Sequence, residues 1–210
     1  MHGRPSQPTA DGRVRAPGHV VLTGTRLRLE PLEEHHRAGL ANAVAADPTA
    51  FTLSGPVPGP GLDAWLARAF EERDAGERVP FAAVLAETGQ AVGSSSYLDI
   101  APADGRIEVG ATWYGRPWWK TFVNPEAKLL LLGHAFDELG ATRVAFRMDA
   151  ENARSRSAVE RLGAVFEGVH RNREHRPDGT LRDTAFYSIL PAEWPSVRAG
   201  LEARLAAVRS

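Results

Sequence analysis

One stretch of the sequence decides the fold: it reads Trp118-Trp119-Lys120-Thr121-Phe122-Val123-Asn124 and leads into the clearest helix of the chain. We predict that helix over residues 125–139, with Asn124 as its N-cap, because an asparagine side chain accepts hydrogen bonds from the free amides of a first turn. Pro125 suits the first helical position, and Gly140 ends the helix. The apolar face comprises Leu129, Leu130, Leu132, Ala135, Phe136 and Leu139.

Hydrophobic patterns extend outward from this helix in both directions. Ahead of it, alternation predicts strands and a 3.6-residue period predicts helices, the strands at 20–32, 80–86, 91–100 and 106–114 and the helices at 33–46 and 62–75. Behind it we predict, in order, a strand, a helix, two strands and a last helix, at 142–148, 152–162, 165–174, 180–190 and 191–210. Because long helices interleave with hairpin-linked strands, the pattern predicts an α+β (mixed α/β) fold, with helices packed on a sheet of about seven strands.

A chain of 210 residues predicts one domain with short additions. Residues 1–18 are rich in Arg, Pro and Gly and show no periodicity, so we expect a disordered leader there. We assign residues 19–195 to the domain and residues 196–210 to a helical extension.

Charge and composition exclude several classes of protein. The formal net charge is -1, so no overall field attracts nucleic acid or an anionic membrane. The absence of cysteine excludes a disulfide framework, cysteine-bound zinc and a thiol nucleophile. No apolar stretch reaches the ~20 residues of a membrane span, and no secretory signal precedes the domain, so we expect a cytoplasmic protein without a membrane partner.

Basic side chains cluster around the last predicted hairpin, so a nucleic acid or the ribosome has to be considered as a partner. They alternate with acidic ones, which favours a solvated face over a surface for nucleic acid or the ribosome. The basic residues are Arg171, Arg173, His175, Arg176 and Arg182, and the acidic ones are Glu174, Asp178 and Asp183.

Three places in the pattern can carry chemistry. The amides at the start of the helix after Asn124 can hold a phosphate group, although an ordinary capped helix gives the same pattern. Asn152 is a candidate N-cap with Ser155 on the following turn, where capping alone is the simpler interpretation. Glu108 lies in an apolar strand, so it is either a buried general base with a raised pKa or a side chain facing water.

Taken together, these segments resemble the GNAT superfamily of acetyltransferases, and within it the branch that acetylates the N-termini of ribosomal proteins. The motifs that carry the resemblance are Ile107-Glu108-Val109-Gly110, Val123-Asn124-Pro125-Glu126-Ala127-Lys128-Leu129-Leu130-Leu131, the helix from Asn152 to residue 164, and the tail from Pro177 to residue 188. The resemblance covers about residues 20–195. It implies a GNAT-like, mixed and mostly antiparallel sheet flanked by helices.

The resemblance also implies an activity and a site. The activity is transfer of an acetyl group from acetyl-CoA, as cosubstrate, to an amine of a protein N-terminus or a small molecule, without a metal. The strands 106–114 and 142–148 would part to admit the pantetheine arm. Glu108 would be the general base and Ser155 the proton donor to the thiolate. Residues that would contact acetyl-CoA are Val109, Gly110, Ala111, Trp119, Lys120, Thr121, Phe122, Val123, Asn124, Asn152 and Ser155.

The sequence departs from this family at two places. Lys120 and Phe122 stand at the positions where the pyrophosphate turn usually has glycine, and glycine lets the backbone approach a phosphate closely. Val159 stands where many members carry the tyrosine that protonates the leaving thiolate, which makes Ser155 the better candidate and Tyr187 a weaker one. These departures leave open a catalytically degenerate acyl-CoA-binding or regulatory module. A homodimer is a further expectation of the branch.

Overall fold

The computed structural model describes residues 15–51, 61–176 and 179–208. Within these residues one sheet of eight strands forms the centre of the molecule, in the order β1-β2-β3-β4-β5-β6-β8-β7. The strands are β1 Leu22–Thr23, β2 Leu27–Pro31, β3 Val79–Leu85, β4 Ala91–Ala101, β5 Arg106–Tyr114, β6 Arg143–Asp149, β7 Val165–His175 and β8 Leu181–Ile189. Neighbouring strands are antiparallel except β5 and β6, which are parallel. The predicted mixed, mostly antiparallel sheet is confirmed.

Helices cover both faces of this sheet. They are α1 Arg37–Ala45, α2 Gly61–Asp74, α3 Val123–Gly133, α4 Ala153–Glu160 and α5 Trp194–Ala207. Side chains of α1 and α2 pack with Ala82 and Val84 of β3, whereas side chains of α3 and α5 pack on the face that holds Ala83 and Leu85. Because successive side chains of a strand point to opposite faces, one apolar strand supplies both cores.

The predicted strand at 20–32 is interrupted by a turn, which explains the count of eight strands where about seven were expected. The amide of Gly24 donates to the carbonyl of Leu27 at 2.8 Å and closes the turn. The buried carboxylate of Glu126 on α3 then accepts the backbone amides of Arg26 at 2.8 Å and Leu27 at 3.3 Å. The turn that interrupts the strand is therefore held by a residue about 100 positions further along the chain, and no local pattern reveals this contact.

Helix α3 begins at Val123, two residues before its predicted start, so the assignment of Asn124 as N-cap is wrong. The hydroxyl of Thr121 accepts the amide of Val123 at 3.3 Å, and Asn124 and Pro125 both lie in the first turn. Proline is tolerated there because the first amides of a helix have no partner within it. The helix continues beyond Gly133 as one turn of π-helix, His134–Glu138.

Some predicted features fall partly outside the described residues. Residues 1–14 of the predicted leader and Pro177 and Asp178 of the tail motif are among them. Helix α5 is continuous across the predicted boundary between residues 195 and 196. No helix among the described residues combines the length and apolar character needed to cross a membrane.

Candidate active site

The parallel strands β5 and β6 part within the sheet. They pair at Arg106 with Arg143, Ile107 with Val144 and Glu108 with Ala145, although both strands continue well beyond these pairs. The sheet is therefore open from Glu108 onward, and each strand has an edge without its neighbour. Such an opening has the unpaired edges that an extended ligand can join as an added strand.

A bulge in β5 lies at this opening. Gly110 pairs with Ser96 and Trp113 with Ser94, so Ala111 and Thr112 together face the single residue Ser95. Ala111 has a φ of 46°, in the left-handed region. An inserted residue of this kind is displaced from the ladder and changes the direction of the strand. The bulge thus turns part of the β5 backbone away from its partner next to Glu108.

Glu108 is the buried carboxylate of the opening. Its side chain is 5% exposed, and its Oε2 atom lies 2.7 Å from Nε of Arg147 on β6. Burial raises the pKa of Glu108 to about 7, a larger effect than the lowering by the Arg147 cation. Gly110 leaves room for this carboxylate, because a Cβ there would lie 2.8 Å from Oε1 of Glu108. Of the two interpretations left open by the sequence, the buried side chain is the one observed.

The turn between β5 and α3 carries the residues that depart from the glycine pattern. Lys120 has a φ of 61°, in the region that glycine adopts most readily, and its side chain is exposed. Phe122 has ordinary helical angles and lies under the guanidinium of Arg26, 4.3 Å from the ring centroid. The backbone at residue 120 thus keeps a glycine-like conformation without a glycine.

Trp119 connects this turn to α4. Its indole nitrogen donates to the carbonyl of Tyr114 at 2.8 Å. The guanidinium of Arg116 lies 4.5 Å from the ring centroid and that of Arg154 lies 3.8 Å from it. Two cations therefore lie against Trp119, in the turn that leads to α3, and the free amides at the start of that helix also favour an anion. The sequence analysis did not single out Arg154, since its contact with Trp119 joins residues 35 positions apart.

Asn152 caps α4 as predicted. Its Oδ1 atom accepts the amide of Ser155 at 3.0 Å, and the side chain is buried. Ser155 is half-buried on the first turn of α4. Val159 is buried in the core, whereas the hydroxyl of Tyr187 donates to Glu160 at 2.7 Å and accepts from Arg156 at 3.0 Å. The Tyr187 hydroxyl is therefore held between two side chains of α4.

A group of side chains outside the opening has the composition of a metal site. The ligand atoms of Glu30, His35 and His36 lie within 4.8 Å of one another. Glu30, however, is 2.9 Å from the guanidinium of Arg28 and 3.3 Å from Nε2 of His36. The arginine neutralises the carboxylate and opposes a cation, so the cluster carries no metal assignment.

Comparison with known proteins decides the family. The model of the acetyltransferase (GNAT) domain matches residues 26–165, well over half of the chain. The chain belongs to the GNAT acetyltransferase family. The matched range contains β5, the turn, α3, β6 and α4, which are the elements that surround the opening.

This GNAT protein is similar to two curated bacterial proteins. It is 28% identical over 119 residues to the uncharacterised N-acetyltransferase p20 of Bacillus licheniformis, covering 57% of this chain and 66% of p20. It is 30% identical over 106 residues to YdaF of Bacillus subtilis, named as a candidate ribosomal N-acetyltransferase, covering 50% of this chain and 57% of YdaF. The chain thus spans less than two thirds of the length of either relative.

A solved structure extends the likeness to nearly the whole chain. It is a GCN5-related N-acetyltransferase from Brucella melitensis, with a TM-score of 0.85 and 29% identity. The match covers 94% of this chain and 93% of the other. The GNAT fold expected from the sequence motifs is therefore confirmed, and the resemblance to the ribosomal-protein branch is supported by the name of YdaF.

Proposed function

We propose that this GNAT protein transfers an acetyl group from acetyl-CoA directly to an amine. One observation carries the proposal: a buried carboxylate with a pKa of about 7, Glu108, lies where β5 and β6 part. A general base with a pKa near the working pH combines the deprotonated form with useful basicity. A carboxylate whose pKa is shifted strongly by burial, beside a charged partner in a cleft, is a recognised sign of a catalytic residue.

The residues around the opening fit acetyl-CoA. The parted strands offer unpaired edges to an extended arm, and the start of α3 offers free amides to a phosphate group. Lys120 keeps the left-handed backbone that glycine would adopt, and Arg116 and Arg154 add positive charge beside the turn. Attraction between these two arginines and the pyrophosphate offsets the looser approach of a turn that lacks glycine.

Each residue then has a role in a balanced transfer. Acetyl-CoA supplies the acetyl group as a thioester: the amine nitrogen forms a bond to the acetyl carbon, and the bond from that carbon to sulfur breaks. Glu108 accepts the ammonium proton, directly or through water, and Arg147 stabilises its ionised form. A backbone amide of residues 109–111 on β5, the stretch that leads into the bulge, polarises the acetyl carbonyl. Ser155 or water donates a proton to the leaving thiolate and regains one from the nitrogen, which loses its second proton as the amide forms.

The test measures release of coenzyme A with an amine across pH 5.5–9. We expect Glu108→Gln to lower kcat about 100-fold and to remove the inflection near pH 7, because the amide cannot accept the proton. Glu167→Gln is the matched control, since Glu167 is also a sheet carboxylate that pairs with an arginine, Arg143, outside the opening. Full kcat for Glu108→Gln across the pH range would refute the assignment of the base.

The acceptor amine is proposed as a protein N-terminus. The support is the name of YdaF and the motifs shared with the ribosomal-protein branch. A panel tests it: a peptide with a free N-terminus, the same peptide with a blocked N-terminus and a free lysine, and a polyamine. Turnover confined to the polyamine would replace the protein acceptor with a small-molecule one.

A second candidate is an acyl-CoA-binding module without turnover. It is favoured by Phe122 and Lys120 at the usual glycine positions and by the buried Val159 at the usual tyrosine position. Calorimetry with acetyl-CoA, paired with the amine panel, separates the two functions. Binding without release of coenzyme A from any amine supports the module, and absence of binding refutes both.

A further inference from the structure

Lys128 is a buried amine that the proposed transfer does not use. It lies on α3 with 6% of its surface exposed. Its Nζ atom lies 2.9 Å from Oγ1 of Thr112 and 3.4 Å from Oγ of Ser95, and 6.0 Å from the ring centroid of Phe146. No carboxylate among the described residues forms an ion pair with it. A methionine would fill the same space without the cost of desolvating an amine.

Burial determines the protonation of this amine. Loss of hydration lowers the pKa of Lys128 to about 7, and no neighbouring charge contributes to the shift. The groups that face Nζ are the hydroxyls of Ser95 on β4 and Thr112 on β5 and the ring of Phe146 on β6. Above pH 7 the amine is therefore mostly neutral. It can still donate a hydrogen bond to a hydroxyl.

The contacts of Lys128 converge on the bulge of β5. Thr112 is one of the two residues that face Ser95, and the two hydroxyls lie 2.6 Å apart. The Thr112 hydroxyl also lies 3.3 Å from the carbonyl of Gly110, so it spans Ala111, the residue with left-handed backbone. A single hydroxyl thus connects both sides of the displaced residue, and Lys128 holds that hydroxyl from α3.

We infer that Lys128 is a positioning residue, which acts through Thr112 to hold the bulge of β5 in the conformation needed for acyl transfer. The inference rests on the proposed function, because it assigns to the bulge the amide that polarises the acetyl carbonyl. Backbone donors are effective only when they are fixed before the reaction. The hydrogen bonds within the sheet, between the hydroxyls of Ser95 and Thr112 and from Thr112 to Gly110, do not supply that rigidity by themselves. An amine anchored in a helix supplies it.

The kinetic experiment compares Lys128→Met, Thr112→Val and the double variant. We expect each single variant to lower kcat about tenfold, with the KM for acetyl-CoA changed less than twofold, because misplacement of a donor affects the transition state more than binding. The double variant should lose no more than either single one, since both act through one contact. Thr112→Ser, which keeps the hydroxyl, should recover most of the activity. Leu129→Met is the control for a changed side chain on α3.

A second measurement separates this inference from the proposed function. Amide hydrogen exchange at residues 110–112 reports the rigidity of the bulge without any substrate. We expect at least tenfold faster exchange in Lys128→Met and Thr112→Val, with wild-type exchange in Thr112→Ser. Wild-type exchange in Lys128→Met overturns the inference even if the protein turns over. Faster exchange in a protein that releases no coenzyme A from any amine refutes the proposed function and leaves the role of Lys128 in holding the bulge intact.

Additive losses in the double variant also overturn the inference, because the two residues would then act independently. If Lys128→Met does not fold, Lys128→Leu carries the test, because it removes the amine and leaves the Thr112 hydroxyl with its bonds to Ser95 and Gly110.

Discussion

Glu108 and Arg147 show how two side chains set one protonation equilibrium. Desolvation raises the pKa of the carboxyl group, and the cation at 2.7 Å lowers it, with a net value of about 7. Asp99 and Glu174 raise it a little further by repulsion. The arginine therefore adjusts the base to neutral pH and does not abolish its basicity.

Replacement of the arginine tests this balance. In Arg147→Met the lowering contribution is lost, so the pKa of Glu108 rises and the inflection in the profile of kcat/KM against pH should move above 7 by about one unit. Arg143→Met is the control, since Arg143 lies on the same strand and pairs with Glu167. A profile identical to that of the wild type would show that Arg147 does not act on Glu108.

The buried amine of Lys128 should also affect how the free energy of unfolding depends on pH. Its pKa is about 7 in the folded protein and 10.5 in its unperturbed state, so between these values the unfolded chain binds one more proton than the folded one. Stability therefore rises with pH through this window, by ~1.4 kcal/mol per pH unit, and the contribution is constant below pH 7.

Urea unfolding at pH 6, 7, 8 and 9 checks this sign. We expect the free energy of unfolding of the wild type, minus that of Lys128→Met, to increase from pH 7 to pH 9 and to be flat from 6 to 7. A difference that is flat over the whole range would mean that the amine is charged in the folded protein.

At the level of secondary-structure elements, the N-termini of α3 and α4 shape the opening between β5 and β6. Helix α4 has a side-chain cap. Helix α3 begins at Val123 without one, and the Thr121 hydroxyl accepts the amide of Val123 instead. The two starts flank Trp119, which the guanidinium groups of Arg116 and Arg154 contact. The orientation of α4, and with it Ser155, thus depends on Asn152.

Asn152→Ala should lower the free energy of unfolding by ~1 kcal/mol, the usual effect of losing an N-cap. Asn152→Asp is the matched control because a carboxylate accepts the same amide. Denaturant midpoints at unchanged slope measure both. Equal midpoints for the alanine variant and the wild type would contradict a stabilising cap.

The turn before α3 allows a second prediction at this scale. Lys120→Gly removes a side chain from left-handed backbone, a conformation that costs ~1–2 kcal/mol in an ordinary residue. Glycine also increases the conformational entropy of the unfolded chain, which cancels part of this stabilisation. We expect a gain of at most ~1 kcal/mol in the free energy of unfolding, measured with urea. A loss of stability would show that the Lys120 side chain makes a stabilising contact.

The whole molecule depends on α5 to close the core beside α3. Trp194, Val197 and Leu201 are buried in that core, and the last two belong to residues 196–210, which the sequence analysis assigned to an extension. Leu201→Ala should lower the free energy of unfolding by ~2–5 kcal/mol, the range for a buried leucine. Glu202→Ala, at an exposed position of the same helix, is the control. Calorimetric unfolding compares the two, and similar midpoints would mean that α5 is not part of the cooperative unit.

Much of the fold and of the candidate site follows from local patterns. Strand β5 has its predicted bounds, Asn152 caps α4, and the motif around Glu108 indicates the family. Alternation, helical period and capping act between residues that are neighbours in the chain, so they are readable from one sequence. The motifs are readable for the same reason.

The tertiary structure alone decided the contacts between distant segments. Glu126 breaks the first strand, Arg147 sets the pKa of Glu108, and Lys128 reaches the bulge through Thr112. In the sequence, Lys128 is one of three polar residues in the first half of α3, with Asn124 and Glu126, and nothing marks it as a buried amine. Burial and charge pairing depend on which elements meet across the sheet. The sequence by itself therefore determined most of the elements, the family and the candidate base, whereas folding determined the environments that make those residues chemically distinct.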